Sequence, residues 1–130
     1  MTIKNWGPVR GCMRTDVTEI DGSLDVLSAL KIMKKVGNTS LIVKRRDEED
    51  EFGMLLFSDI AKHVIAKNRA PERVSVYEIM AKPCLTVRPD MEIRYCARLF
   101  ENFGISHAPV VEEGKIIGMV SYYRLVLKGL

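Results

Sequence analysis

The chain repeats itself. Slid along its own sequence by 67 positions, Met13 falls on Met80, Ile20 on Val87, Leu24 on Met91, Val26 on Ile93, Met33 on Phe100 and Val36 on Phe103. Gly37 meets Gly104 and Val43 meets Val110. After a two-residue shift in a charged loop the offset becomes 65, and Gly53 falls on Gly118, Met54 on Met119, Leu55 on Val120, Phe57 on Tyr122 and Ile60 on Leu125. A run of matched apolar positions with two glycine pairs and one small indel marks a duplicated supersecondary unit. A unit of about 60 residues is marginal alone. The two copies, read as residues 9–70 and 74–130 after an arm of residues 1–8, are therefore expected to pack face to face with pseudo-twofold symmetry. Such a seam would leave two related clefts.

Each copy reads as β-α-β-β-α, an α/β (α+β) fold class. A short β segment, Thr18–Ile20 or Leu85–Val87, is followed by a polar cap, Ser23 or Asp90. Apolar residues then recur at helical spacing: Leu24, Leu27, Leu30 and Met33 in one copy; Ile93, Cys96 or Ala97, Phe100 and Phe103 in the other. Gly37 or Gly104 ends the helix as a left-handed cap would. Strands are expected at Leu41–Val43 and Gly53–Phe57, and again at Pro109–Val111 and Gly118–Tyr122, each pair joined by a polar hairpin. A final helix is expected from about Ser58 to Asn68, and a shorter one after Tyr123.

Composition narrows the function. With 47% hydrophobic and 28% charged residues the chain can bury a core and is not a disordered tail. A net charge of +3 is too mild to demand nucleic acid or an anionic membrane as partner. No apolar run approaches the ~20 residues a membrane span needs. The start, Met1 to Trp6, lacks the apolar stretch of a secretory signal. Cys12, Cys84 and Cys96 are odd in number and widely spaced, which reads as reduced thiols in a cytoplasm rather than a disulfide framework or metal site. Two histidines, His63 and His107, are too few for a zinc centre, and no phosphate loop or serine elbow is present. The chain is expected not to be an enzyme: no catalytic residue and no metal ligand is read.

The repeat resembles the CBS domain, and the tandem pair resembles a Bateman module. The resemblance runs from about Val9 to Leu127. It is carried by Gly104-Ile-Ser-His-Ala-Pro-Val-Val111 and Gly118-Met-Val-Ser121 in the second copy and by Gly53-Met-Leu-Leu-Phe-Ser-Asp59 in the first. It implies a regulatory module that binds adenosine compounds (AMP, ADP, ATP or S-adenosylmethionine) and reports them to an effector protein, and it implies a homodimer. The alternative is a structural dimerisation module whose sites have degenerated.

Two unequal sites follow from the resemblance. The first would take Ser58 and Asp59 from copy one, Ala81, Thr86, Ile105, Ser106 and His107 from copy two, with Ser40 close by. An ionised carboxylate is acceptor-only and suits both hydroxyls of a ribose. Leu56 stands where the family pattern has Ser or Thr. The second would take Ser121, Tyr123 and Arg124, facing Arg14, Glu19, Asn38 and Thr39. Arg124 stands where Asp is expected and cannot accept from ribose hydroxyls, so this site would be empty, anion-binding or used for packing.

Structural readings stand beside these. Asp59 would equally cap a helix starting near Ser58. His107 is either a phosphate contact or a satisfied strand-start histidine. Ser121 either meets a ligand or bonds its own backbone. Arg124 would pair with Glu19 or Glu112. Lys44 to Glu51 reads as a solvated loop, and Phe52, Met54, Phe57 and Met119 as core. Trp6, in the arm, would dock on a neighbour.

Overall fold

A computed structural model describes residues 6–128. They form two compact units. The first is Thr18–Cys84; the second joins residues 6–17 to residues 85–128. Residues 1–5 of the arm and residues 129–130 of the second repeat lie outside the described residues.

In the first unit β1 (Glu19–Ile20) is followed by α1 (Val26–Val36), β2 (Ser40–Val43), β3 (Gly53–Leu56) and α2 (Phe57–Ile60). The helix continues into a π turn, Ala61–Ile65, and α3 (Val76–Ile79) comes last. The sheet runs β1-β2-β3, parallel then antiparallel, so the central β2 is buried at all four positions and carries a continuous apolar Leu-Ile-Val run. The α1 face of Val26, Ala29 and Met33 packs with Leu41, Val43, Leu55, Ile60 and Val64.

The second unit repeats the plan with α4 (Ile93–Phe103), β4 (His107–Glu112), β5 (Lys115–Ser121) and α5 (Tyr122–Leu127). Val87 takes the place of β1 alone, through a parallel bridge to Val110. Its core holds Val9, Cys12, Ile93, Cys96, Phe100, Ala108, Val110, Val120 and Leu125.

The duplication is visible bond by bond. Val76 N–H donates to the Leu24 carbonyl and Val9 N–H to the Met91 carbonyl, at 2.9 and 2.8 Å. Met54 and Ala81 exchange both backbone hydrogen bonds, and so do Met119 and Arg14. Phe57 N–H reaches the Thr39 carbonyl as Tyr122 N–H reaches that of Ser106. These bonds also place the compact units out of step with the sequence repeats. Residues 9–14, which open the first repeat, lie in the second unit, and residues 74–84 lie in the first.

Several expected boundaries shift. Helix α1 is capped by Asp25, which accepts from Ser28 N–H at 3.0 Å, and the N-cap of α4 is Glu92. Ser23 and Asp90 are not the caps. Residues 22–24 and 89–91 lend their carbonyls to Tyr77, Val76, Arg10 and Val9, so the helix can begin only after that pairing. Ser23 instead donates twice to Asp21 in a local turn. The ends hold: Gly37 and Gly104 take φ of 69° and 63°, the left-handed cap conformation that glycine adopts without strain. Helix residues end at Ile65, short of Asn68, and α5 starts one residue before Tyr123. Leu85 and Thr86 are outside any strand.

Other expectations are corrected by burial. Met54 and Met119 are core, whereas Phe57 is 48% exposed. Phe52 is half-buried under the Arg45 guanidinium. Trp6 packs on its own chain, against the core of the second unit. The charged loop is exposed from Lys44 to Glu49, but Asp50 is anchored, accepting from Arg46 N–H and pairing with Lys82. That pairing holds its carboxyl well below the usual carboxylate range.

Candidate functional site

The two strand-helix corners carry the candidate chemistry. In the first unit β3 ends at Leu56 and α2 starts at once. The bond from Phe57 N–H to the Thr39 carbonyl, 3.2 Å, draws Thr39 and Ser40 to this corner, and Ser40 lies opposite Leu56 in the sheet. Ala81 is held beside β3 by its paired bonds with Met54, 2.9 Å each. Asp59 is half-buried, and its Oδ2 accepts from Leu56 N–H at 2.8 Å. The helix-capping role is therefore real. It uses one lone-pair position of a group that has about four, so the carboxylate keeps acceptor capacity while its orientation is fixed. Ser58 is exposed and Ser40 is 4% exposed.

The corresponding corner of the second unit differs in chemistry. Ser121 Oγ accepts from Arg124 N–H at 3.3 Å, which is the local-backbone reading of this serine. The Arg124 side chain pairs with neither Glu19 nor Glu112. Its Nε donates to the Cys12 carbonyl at 2.8 Å, and its Nη2 reaches the Met13 carbonyl at 3.5 Å. Glu112 belongs to Arg10 and Arg14 pairs with Asp16. His107 lies opposite Ser121 in the sheet, with Nδ1 2.8 Å from Ser106 Oγ. Burial pushes its imidazole below the usual range, which favours the neutral ring. Ile105 is half-buried against the core, and Thr86 is exposed next to Val87.

Of the first predicted set, Ser40, Ser58, Asp59 and Ala81 are gathered in the first unit, while Thr86, Ile105, Ser106 and His107 belong to the second. Of the second set, Arg14, Ser121, Tyr123 and Arg124 share the second unit, and Glu19, Asn38 and Thr39 belong to the first. Sequence reasoning missed the Cys12 and Met13 carbonyls as partners of Arg124. The only hint was that Arg124 is a donor-only residue lacking a nearby acid. Among the described residues no cluster of three or more His, Cys, Asp or Glu side chains is placed to hold a metal ion. No described helix is long and apolar enough to cross a membrane.

A β-α-β-β-α unit built twice, with the same corner bonds in each copy, defines an internally duplicated α+β module. Comparison with known proteins agrees. Residues 76–128 match the CBS domain family. A hexameric CBS-CP12 protein from bloom-forming cyanobacteria is 37% identical, with a TM-score of 0.91, over 93% of this chain and 70% of that one. The chain belongs to the CBS-domain family, as a tandem pair. The CBS domain pair of protein MJ0100, solved in complex with 5-methylthioadenosine and S-adenosyl-L-methionine, shares the fold at a TM-score of 0.78 and 23% identity, over 92% of this chain and 93% of that one. Among curated proteins, a homoserine O-acetyltransferase of Methanosalsum zhilinae is 34% identical over 113 residues, 86% of this chain. An uncharacterized Methanopyrus kandleri protein, MK0525, is 29% identical over 90 residues, 68% of this chain. The chain spans only 22% and 45% of these two relatives' lengths.

Proposed function

We propose that this chain is a regulatory module, not a catalyst, that binds an adenosine compound through the Asp59 corner. The observation that carries the reading is the half-buried Asp59 carboxylate, aimed by its bond to Leu56 N–H, with exposed Ser58 next to it in the chain and Ser40 opposite Leu56 in the sheet. An acceptor-only group held by a strand and a helix suits a vicinal diol, since both ribose hydroxyls must donate. AMP, ADP, ATP and S-adenosylmethionine are the candidate ligands. The nucleoside-bound MJ0100 pair supports that class. Ser40, Ser58, Asp59, Ala81, Thr86, Ile105, Ser106 and His107 are carried as the ligand set, and residues 9–70 and 74–130 as the duplicated repeats. We place the module in a cytoplasm, as a homodimer that reports to an effector protein. A ligand shifts such a module only if it prefers one arrangement over another.

A second reading, a structural pairing module with degenerate sites, draws on two observations. Leu56 stands at a position where a hydroxyl would serve a ligand, and apolar Ile65, Phe103, Tyr123 and Val126 are each more than 60% exposed. Titration calorimetry with the four compounds separates the readings. The regulatory reading expects saturable binding tighter than about 1 mM for at least one, with a raised melting temperature. No binding and no thermal shift with any of them would leave the pairing module.

A further inference from the structure

Residues 59 and 124 are equivalent under the 65-residue offset. The backbone around them is the same: Phe57 to Thr39 and Met54 with Ala81 in the first unit, Tyr122 to Ser106 and Met119 with Arg14 in the second. Their side chains are chemical opposites. Asp59 only accepts, whereas Arg124 only donates.

The acceptors that Arg124 serves are the Cys12 and Met13 carbonyls, in the segment that runs from the Val9–Gly11 turn to the Arg14–Met119 pairing. The equivalent carbonyls of the first unit belong to Ile79 and Met80, and a carboxylate at position 59 has no proton to offer them. The same segment meets the rest of its own unit at two further points: Arg10 pairs with Glu112, and the Lys128 side chain comes against Gly11. A half-buried guanidinium donating to two successive carbonyls forms charge-assisted bonds, roughly twice as strong as neutral ones.

We infer that Arg124 is a positioning residue that fastens residues 9–14 to α5 and leaves this corner without the acceptor a ribose needs, so that the chain takes one adenosine ligand and not two. The ligand count rests on the proposed Asp59 site; the fastening does not.

Two measurements on the whole chain test it. In amide hydrogen exchange followed by NMR, Arg124→Ala speeds exchange at the Arg14 and Met119 amides by about tenfold or more, as loss of a bond to a charged group implies. The Ala81 and Met54 amides, paired in the same way in the first unit, stay unchanged and serve as the control. Arg124→Lys, which lacks the planar fork, shows the same local acceleration. Unchanged exchange at Arg14 and Met119, or equal acceleration at all four amides, overturns the fastening. Calorimetry with AMP, ADP, ATP and S-adenosylmethionine gives one site per chain, for each compound that binds, in both the wild type and Arg124→Ala. Two sites in the wild type, or loss of binding in Arg124→Ala, overturns the single site. A wild type that binds none of AMP, ADP, ATP and S-adenosylmethionine overturns the ligand count together with the site it rests on, and the exchange result still decides the fastening.

Discussion

Gly118 runs directly beneath Met13: a Cβ at position 118 would stand 2.7 Å from the Met13 sulfur and 2.6 Å from the neighbouring Arg14 carbonyl oxygen. The first unit repeats the arrangement with Gly53 under Met80, the sulfur again at 2.7 Å, but the nearest carbonyl oxygen, that of Ala81, is at 3.3 Å. A thioether can swing aside, whereas a carbonyl in a backbone bridge cannot. Gly118→Ala is therefore expected to destabilise the protein by about 1–3 kcal/mol, the range for overpacking, and Gly53→Ala by less. Urea unfolding of the two variants measures the difference. Equal losses would show that the carbonyl does not decide it.

His107 predicts a pH dependence. Its folded-state pKa lies below the ordinary 6.5 because burial penalises the cation. Well above pH 6.5 the ring is neutral in both folded and unfolded chains and adds no slope. As pH falls through 6.5 the unfolded chain takes up the proton first, so stability declines until the folded ring titrates as well. His107→Gln should flatten the decline that begins below about pH 6.5, measured by urea midpoints as the pH is lowered. His63 is present in both proteins and cancels. Identical pH profiles would show that burial of His107 carries no such penalty.

The thiols should be silent in the folded chain. Burial raises Cys12, and it pushes Cys84 and Cys96 up to about 11. Thiolate is the reactive form, so little is present at pH 8. A thiol-reactive dye at that pH is expected to label the native protein slowly and all three cysteines after denaturation. Rapid native labelling of any one would contradict the packing assigned to it.

The features legible in the sequence are local ones. Apolar spacing located both long helices, and Gly37 and Gly104 marked their ends, because a left-handed cap depends on one residue and its immediate neighbours. The polar hairpins separated the paired strands for the same reason. The caps were placed two residues early, since Ser23 and Asp90 look like caps until Val76 and Val9 claim the carbonyls beside them. That claim joins residues about 50 and 80 positions apart and leaves no trace in local pattern. The lodging of residues 9–14 in the second unit was hidden by the same distance. For Asp59 and Arg124 the residue type disclosed acceptor or donor. Which partner each takes, Leu56 N–H or the Cys12 and Met13 carbonyls, needed the fold.

The account stands on the Asp59 corner as the place where an adenosine ligand is read, and chemical-shift mapping tests that most directly. Backbone amides of isotope-labelled protein are followed as AMP is added, in the wild type and in Asp59→Asn, which retains an acceptor for Leu56 N–H but loses the charge. The account predicts saturable shifts at Leu56, Phe57, Ser58 and Ser40 in the wild type, and affinity weakened at least about tenfold in the variant, as loss of a charge-assisted bond implies. Shifts confined to residues around Arg124, or equal affinity in both proteins, would contradict it.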